Sequence, residues 1–479
     1  MKYKLSIGIL IVLVCGIMLM SNGLASAGPP IWLNQATLSI IDSNPSQDPE
    51  NSGFGPIQVV VWEEDNGNDW DIHMKYSLLD GALGSWMFPP LHPATGTSDT
   101  INPAVTVTNF NPGSALMEIH VVYEWYDSTT AQWNINHTWT NNFGAAWTAP
   151  LTLSVNDAHD PAIVYTEDQL NPVGGGMIGQ LVQIVWSELN PASGFYEIQY
   201  DAYYYDPTLV PVRGYLSGAP PAAPTLIRGS AVGDCFFPEI ASCDERLRGA
   251  AFDYYFAIVW QEQIVTGQWR IGYVAGTTTI SPGAMGLAFA FLPGFVSPPG
   301  VTADAFRPDI AATQDYQPIE QYYFQIDWMF QFWAPAGQYT IESCYAWSPI
   351  PTPGIPLFFA NPTFVVQFSN VVILDNPTVA TKLINLNPTI FETWFAWEED
   401  TTGPNPDIFY AMGIANGPGP FVPVFGPARV PYVPVVGSDD YNPELWNRND
   451  PTRMFPPFTH LVFDKQIAGT VPEIEYIDP

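Results

Sequence analysis

Four acidic residues each follow a proline that opens a short apolar run: Pro49-Glu50, Pro238-Glu239, Pro308-Asp309 and Pro443-Glu444. Carboxylates at the start of equivalent strands would face one another across whatever those strands enclose. Such groups suit acid–base work at a glycosidic bond, where a pair of carboxyls shares the labour, or the binding of a cation. A second acidic feature is the run Glu63-Glu64-Asp65-Asn66-Gly67-Asn68-Asp69-Trp70-Asp71. Hard oxygens in a Gly/Asn turn suit Ca²⁺, which takes 6–8 of them, so Glu64, Asp65, Asp69 and Asp71 are the candidate metal ligands and Ca²⁺ the candidate cofactor. Their spacing is not that of an EF-hand loop. His159-Asp160 pairs an imidazole with a carboxylate and is a third ligand candidate, whereas His120 and His137 fall inside strand patterns and read as structural. No HExxH, GxSxG or phosphate-binding loop is present, and no residue is assigned a catalytic role.

These residues sit on a repeated scaffold. One unit runs Asn102-Pro103-Ala104-Val105-Thr106-Val107, then Ile119 to Glu124, Trp133 to Trp139 and Ala146 to Leu153. Each piece is rich in β-branched and aromatic residues and bounded by turn formers, which are strand signals. The opening proline recurs at Pro49, Pro103, Pro161, Pro238, Pro308, Pro377 and Pro443. The second piece ends in an aromatic often followed by Glu, as in Trp62-Glu63-Glu64, Trp186-Ser187-Glu188, Trp260-Gln261-Glu262 and Trp397-Glu398-Glu399. Phe330-Gln331-Phe332-Trp333 reads as the fifth copy. Repeating tryptophans belong to a core, and the glutamates two residues on (64, 188, 262 and 399) read as structural hydrogen-bond acceptors. The last repeat lacks a fourth strand, and Ile31–Ile40 has the pattern to supply it. The expected fold is all-β, a seven-bladed β-propeller closed by its N-terminal strand, with six or eight blades if one weak repeat is misread. Strand entries and the turns between second and third strands then share one face, and the proline-linked carboxylates ring the channel there.

Between a third and a fourth strand stands Thr140-Asn141-Asn142-Phe143-Gly144-Ala145-Ala146-Trp147. This resembles the Asp-box hairpin of extracellular sialidase-like propellers, with Asn142 in place of the Asp and Ala146 in place of the Thr. Ser77, Asp80, Gly81, Gly84, Ser85 and Trp86 form a looser copy. The resemblance implies a propeller fold. The arginine triad of the sialidases is not matched, since no arginine precedes Arg213.

A basic start at Lys2 and Lys4, an apolar run and Ala25-Ser26-Ala27 make residues 1–27 a secretory signal peptide, leaving 28–479 as one propeller domain. The expectation is a secreted or extracellular protein, cell-surface associated at most, with no transmembrane anchor of its own. A net charge of −33 repels phosphate backbones and excludes nucleic acid as a partner. Cys235 and Cys243 lie close in sequence and are the candidate disulfide outside the cell. Pro-, Gly- and Ala-rich connections at 207–233 and 277–305 are candidate partner-binding loops. The functional expectation is a binding or scaffold protein, not an enzyme, that holds a glycan, a cation or an extracellular protein on its face. The alternative is a sialidase-like glycoside hydrolase or lyase using the carboxylates at the channel mouth.

Overall fold

Runs of Val, Ile and aromatic residues cut by Pro, Gly and Asn favour strands over helices, and the described elements are all β. The computed structural model describes residues 34–39, 44–54, 57–78, 85–87, 91–94, 98–108, 118–166, 180–205, 213–218, 224–229, 233–248, 251–265, 267–281, 284–289, 294–297, 303–315, 321–332, 338–348, 358–359, 363–367, 373–386, 389–400, 406–416, 422–429, 438–447, 459–467 and 472–478. Residues 1–27 lie outside these, as do parts of the 207–233 and 277–305 connections. Among the described residues no helix is long and apolar enough to cross a membrane.

The described strands form seven antiparallel sheets of four or five strands. We number the sheets as blades 1 to 7 by their first strands: Ser46–Phe54, Thr100–Thr108, Ala158–Thr166, Cys235–Arg248, Ala303–Asp315, Ile373–Leu386 and Ser438–Asn447. Each first strand lies against that of the next blade, and that of blade 7 against that of blade 1. Asn34–Thr37 pairs with Glu473–Asp478, so the N-terminal strand completes blade 7 and covers what would be a bare edge.

Every first strand carries a bulge at the same place. The register against the second strand slips between Gln47 and Glu50, Ile101 and Ala104, His159 and Ala162, Phe236 and Glu239, Phe306 and Asp309, Asp375 and Thr378, and Tyr441 and Glu444. The residue before each proline has positive φ: Asp48, Asn102, Asp160, Phe237, Arg307, Asn376 and Asn442. A proline fits such a bulge because its missing N–H is not needed by the ladder.

Between blades the packing is aromatic and dry. Trp62, Trp186, Trp260, Trp328 and Trp397 are fully buried. In four of them the indole N–H donates to the glutamate two residues on, at 2.8–3.3 Å (Glu188 and Glu399 mark the extremes), so each glutamate satisfies the polar edge of its own core residue. Above blade 4 this core is tight: a Cβ on Gly272 would fall 2.4 Å from the Trp260 ring.

Two expectations are corrected here. The fifth copy of the second-strand motif is not Phe330–Trp333. Asp309 pairs with Asp327 as Glu50 pairs with Val61, and this makes Trp328 the equivalent of Trp62. The long apolar run around it offers more than one alignment, and only pairing with the first strand selects the register. The Cys235–Cys243 disulfide does not form. Both are buried thiols outside any disulfide on one extended strand, where eight residues span more than about 20 Å against the ~7 Å limit for a bridge.

Candidate functional site at the channel mouth

The bulges place the residue after each proline at the top of the central channel. Glu50, Glu239, Asp309 and Glu444 come together there and line both the channel, a cavity of about 250 Å³, and its wider mouth of about 410 Å³. Blade 6 contributes Thr378 at the same level, while blades 2 and 3 contribute Ala104 and Ala162. Burial raises the proton affinity of all four carboxyls, and for Glu50, Glu239 and Glu444 the charges of their neighbours add to it. Glu50 is pushed up to about 8 by burial and by Asp309 and Asp48. Glu239 and Glu444 are raised well above the ordinary carboxylate range by burial and by their neighbours in the ring.

Asp309 differs from its neighbours. Burial raises it, but it accepts hydrogen bonds from Val379 N at 2.7 Å, Ile310 N at 2.6 Å and Thr378 Oγ1 at 3.0 Å, which favour its ionised form. Thr378 Oγ1 also lies 3.3 Å from Glu444 Oε2. One hydroxyl carries one proton. That proton is directed at one carboxyl or the other, and the same oxygen accepts from Leu445 N at 3.2 Å. The hydroxyl thus ties together two carboxyls of raised proton affinity, Glu444 well above the ordinary range and Asp309 drawn back toward it by its hydrogen bonds. Behind them, Asp327 is fully buried and held strongly toward its neutral form by burial and by Asp309.

Around the mouth the seven left-handed residues form two unlike halves. In blades 6, 7 and 1 they are Asn376, Asn442 and Asp48, joined by Asn376 Nδ2 to Asn442 Oδ1 at 2.7 Å and Asn442 Nδ2 to Asp48 Oδ1 at 2.6 Å. Asn442 also donates to Asp464 and, through its backbone, to Glu398. In blades 2 and 3 they are Asn102, which donates to Glu124, and Asp160, which accepts from Phe237 N, and in blades 4 and 5 they are Phe237 and Arg307. Aromatic residues open third strands here as Trp70, its N–H held by Asp99, does in blade 1. Trp133, Tyr196 and Trp269 open third strands, their backbone N–H groups held by Asp157, Asp234 and Asp304, each four residues ahead of the next blade's proline. Ring contacts run from Trp133 through His159, Tyr196 and Phe236 to Phe237, with centroids 4.9–6.4 Å apart (Tyr196–Phe236 and Trp133–His159 mark the extremes). Arg307 then lies over Phe237 at 5.7 Å.

His159 and Asp160 border this aromatic half. Burial opposes a charge on His159, yet the hydrogen bond and charge of Glu124, with Asp157 and Asp160, outweigh it and hold the imidazole up to about 9. Its Nδ1 lies 2.9 Å from Glu124 and its Nε2 3.4 Å from Asp157. Asp160 lines the mouth and is pushed up to about 6 by burial and by Glu124.

The acidic turn of blade 1 is built differently from a metal loop. Glu64 is occupied by Trp62 Nε1 and Ser46 Oγ. Asp65 caps Gly67 N at 2.7 Å, and the Asn66 amide donates to both Asp69 and Asp71. The amide of Asn66 thus occupies the centre of the turn, and among the described residues no three acidic, histidine or cysteine side chains are arranged to hold a metal ion. Sequence reasoning missed Thr378, Asp327, Phe237 and the Asn376–Asn442–Asp48 chain. The signal for the mouth was the residue before each proline, which is Asn or Asp in five blades and Phe237 or Arg307 in the other two.

No protein-family model and no curated protein matches the sequence. Among solved structures, a polysaccharide lyase, an ulvan lyase, is similar at 10% identity over 92% of this chain and 95% of its own, with a TM-score of 0.49. The α-L-arabinofuranosidase Arb93A from Fusarium graminearum is similar at 11% identity over 79% and 93%, with a TM-score of 0.38. A GH62 α-L-arabinofuranosidase catalytic domain from Coprinopsis cinerea follows at 12% identity over 69% and 95%, with a TM-score of 0.30. At such identities the likeness is one of fold, and it agrees with the all-β propeller. By their names these neighbours are carbohydrate-active enzymes, and the expected non-enzymatic binding or scaffold role has no counterpart among them.

Proposed function

We propose that the chain is a carbohydrate-active enzyme, a glycoside hydrolase or lyase, acting at the mouth of the propeller channel. The observation that carries this reading is the Asp309–Thr378–Glu444 arrangement. Two carboxyls of raised proton affinity share one hydroxyl within a ring of further such carboxyls, and Asp309 alone of the two is drawn toward its ionised form by two backbone N–H groups. Environments that drive neighbouring carboxyls apart in protonation are how acid and base roles are assigned. Glu444 holds the proton a glycosidic oxygen needs on leaving. Asp309 holds the negative charge that can stabilise an oxocarbenium-like centre, attack it or take up a proton. Glu50 and Glu239 keep the surroundings largely neutral, so that the charge on Asp309 is not dissipated by repulsion.

Turnover of a panel of polysaccharides and aryl glycosides tests this reading. Wild-type protein should release product from at least one member, and Asp309→Asn and Glu444→Gln should each lower kcat by about 10²–10⁴-fold, the usual contribution of a positioned acid or base. Full activity in both variants would remove the carboxyl pair from the mechanism. No product across the panel would remove the enzymatic reading itself. The secreted location expected from residues 1–27 belongs to this proposal, since polymeric glycans are met outside the cell.

A further inference from the structure

We propose that the groove between blades 4, 5 and 6 is a binding subsite for a neutral sugar, with Phe237 as the stacking platform and the Arg307–Asp375 pair as the partner of the sugar hydroxyls. This rests on the hydrolase form of the carbohydrate-active reading, since a lyase eliminates across a uronate, and names the class of its substrate. The groove is a cavity of about 300 Å³, bounded among others by Phe237, Arg307, Gln331, Tyr339 and Asp375. Phe237 and Arg307 also line the mouth, and each directly precedes a proline and then a ring carboxyl, Glu239 or Asp309. A sugar held in the groove therefore abuts the acidic ring.

The residue types at this place are costly and unlike their equivalents. Phe237 has φ of 50° and Arg307 of 46°, a region that Asn and Asp tolerate and bulky residues do not. Five blades satisfy the bulge with Asn or Asp, and these two do not. Backbone strain of this kind persists where a side chain is required for something other than folding. Phe237 is also exposed, at 38%, although its neighbours Tyr196 and Phe236 are half-buried. Arg307 lies over the ring, and the area of Phe237 left exposed can pack against the C–H face of a sugar, which buries apolar area without desolvating a hydroxyl.

The polar side of the groove decides the charge of the ligand. Arg307 Nε lies 3.3 Å from Asp375 Oδ1, and both side chains remain open to solvent, at 44% and 35%. A compensated guanidinium–carboxylate pair offers fixed donors beside fixed acceptors, which matches adjacent hydroxyls that donate and accept at once. It has no net charge to spend on a uronate or sulfate. Such a group would also face the acidic ring in a chain of net charge −33. The Gln331 amide, ordered by the Tyr339 hydroxyl at 2.9 Å, adds a further polar edge.

The test is titration of the full chain with neutral xylo-, arabino-, galacto- and gluco-oligosaccharides and, separately, with oligogalacturonides. Binding is followed by calorimetry and product formation in the same samples. At least one neutral series should bind saturably, and Phe237→Asn and Arg307→Asn should each weaken it at least tenfold. Both variants should melt no lower than wild type, because Asn suits the left-handed position; a merely structural role would not separate affinity from Tm in this way. Binding unchanged in both variants, binding by oligogalacturonides alone, or no saturable binding would overturn the subsite. Variant-sensitive binding without product would leave the subsite and sink the enzymatic reading. Product without variant-sensitive binding would do the reverse.

Discussion

The two halves of the channel mouth solve one backbone problem in opposite ways. In blades 6, 7 and 1 the left-handed residue of the bulge is Asn376, Asn442 or Asp48, and its side chain is consumed by its neighbours. In blades 4 and 5 the same position holds Phe237 and Arg307, whose side chains are turned to the surface and meet mainly each other and Asp375. One half latches the ring, and the other presents chemistry. Because the bulge is common to all seven blades, the difference lies in the side chains alone. The part of the ring that gives up local fitness is the part with a surface to offer.

The largest effect should come from the latched half. Asn442 donates to Asp48 and Asp464 and accepts from Asn376. Asn442→Ala should cost about 2–3 kcal/mol in chemical denaturation, since each enclosed polar group left without a partner costs about 1–3 kcal/mol. A loss below 0.5 kcal/mol would show that the chain of amides is not a latch.

Next in size is the response to pH, which separates the halves by window. Glu50 has a folded pKa of about 8 against an ordinary value near 4.3. The native state therefore binds more protons between those values, and the stability associated with Glu50 is fully present below about pH 4 and lost as pH rises through 8. His159, at about 9 when folded against about 6.5, contributes stability that is present below pH 6.5 and lost as pH rises through 9. Melting temperature should fall from pH 5 to pH 9. Glu50→Gln should flatten the lower part of that fall and His159→Gln the upper part. A wild-type protein that melts higher at pH 9 than at pH 5 would contradict both assignments.

The smallest effect is a gain. Phe237→Asn should raise stability by about 0.5–1 kcal/mol by relieving the left-handed phenylalanine. The same exchange in the latched half, Asn442→Phe, should be strongly destabilising. Equal effects in the two halves would erase the distinction drawn between them.

Much of this architecture was legible in the sequence, and the parts that were not share a cause. Short apolar runs, strand-opening prolines and the Trp-x-Glu pattern specify strands, their entries and blade cores locally, because each is satisfied within one blade. The proline-linked carboxylates were likewise visible, since repetition places equivalent residues at one level of the ring. What escaped were relations between blades. Trp328 could not be aligned without its pairing to the first strand. Thr378 could not be linked to Asp309 and Glu444, residues 69 and 66 positions away. The cysteines looked close in sequence and are far apart in space, because an extended strand converts eight residues into distance. The acidic turn shows its carboxylates in the sequence, but only the structure shows the Asn66 amide donating to both Asp69 and Asp71. By itself the sequence determined the all-β repeat, its proline-marked strand entries and the ring of acids, since side-chain pattern and turn chemistry act over a few residues. The tertiary structure alone decided how far each acid of the ring is raised and which half of the mouth stays open, because both depend on burial and on groups contributed by neighbouring blades.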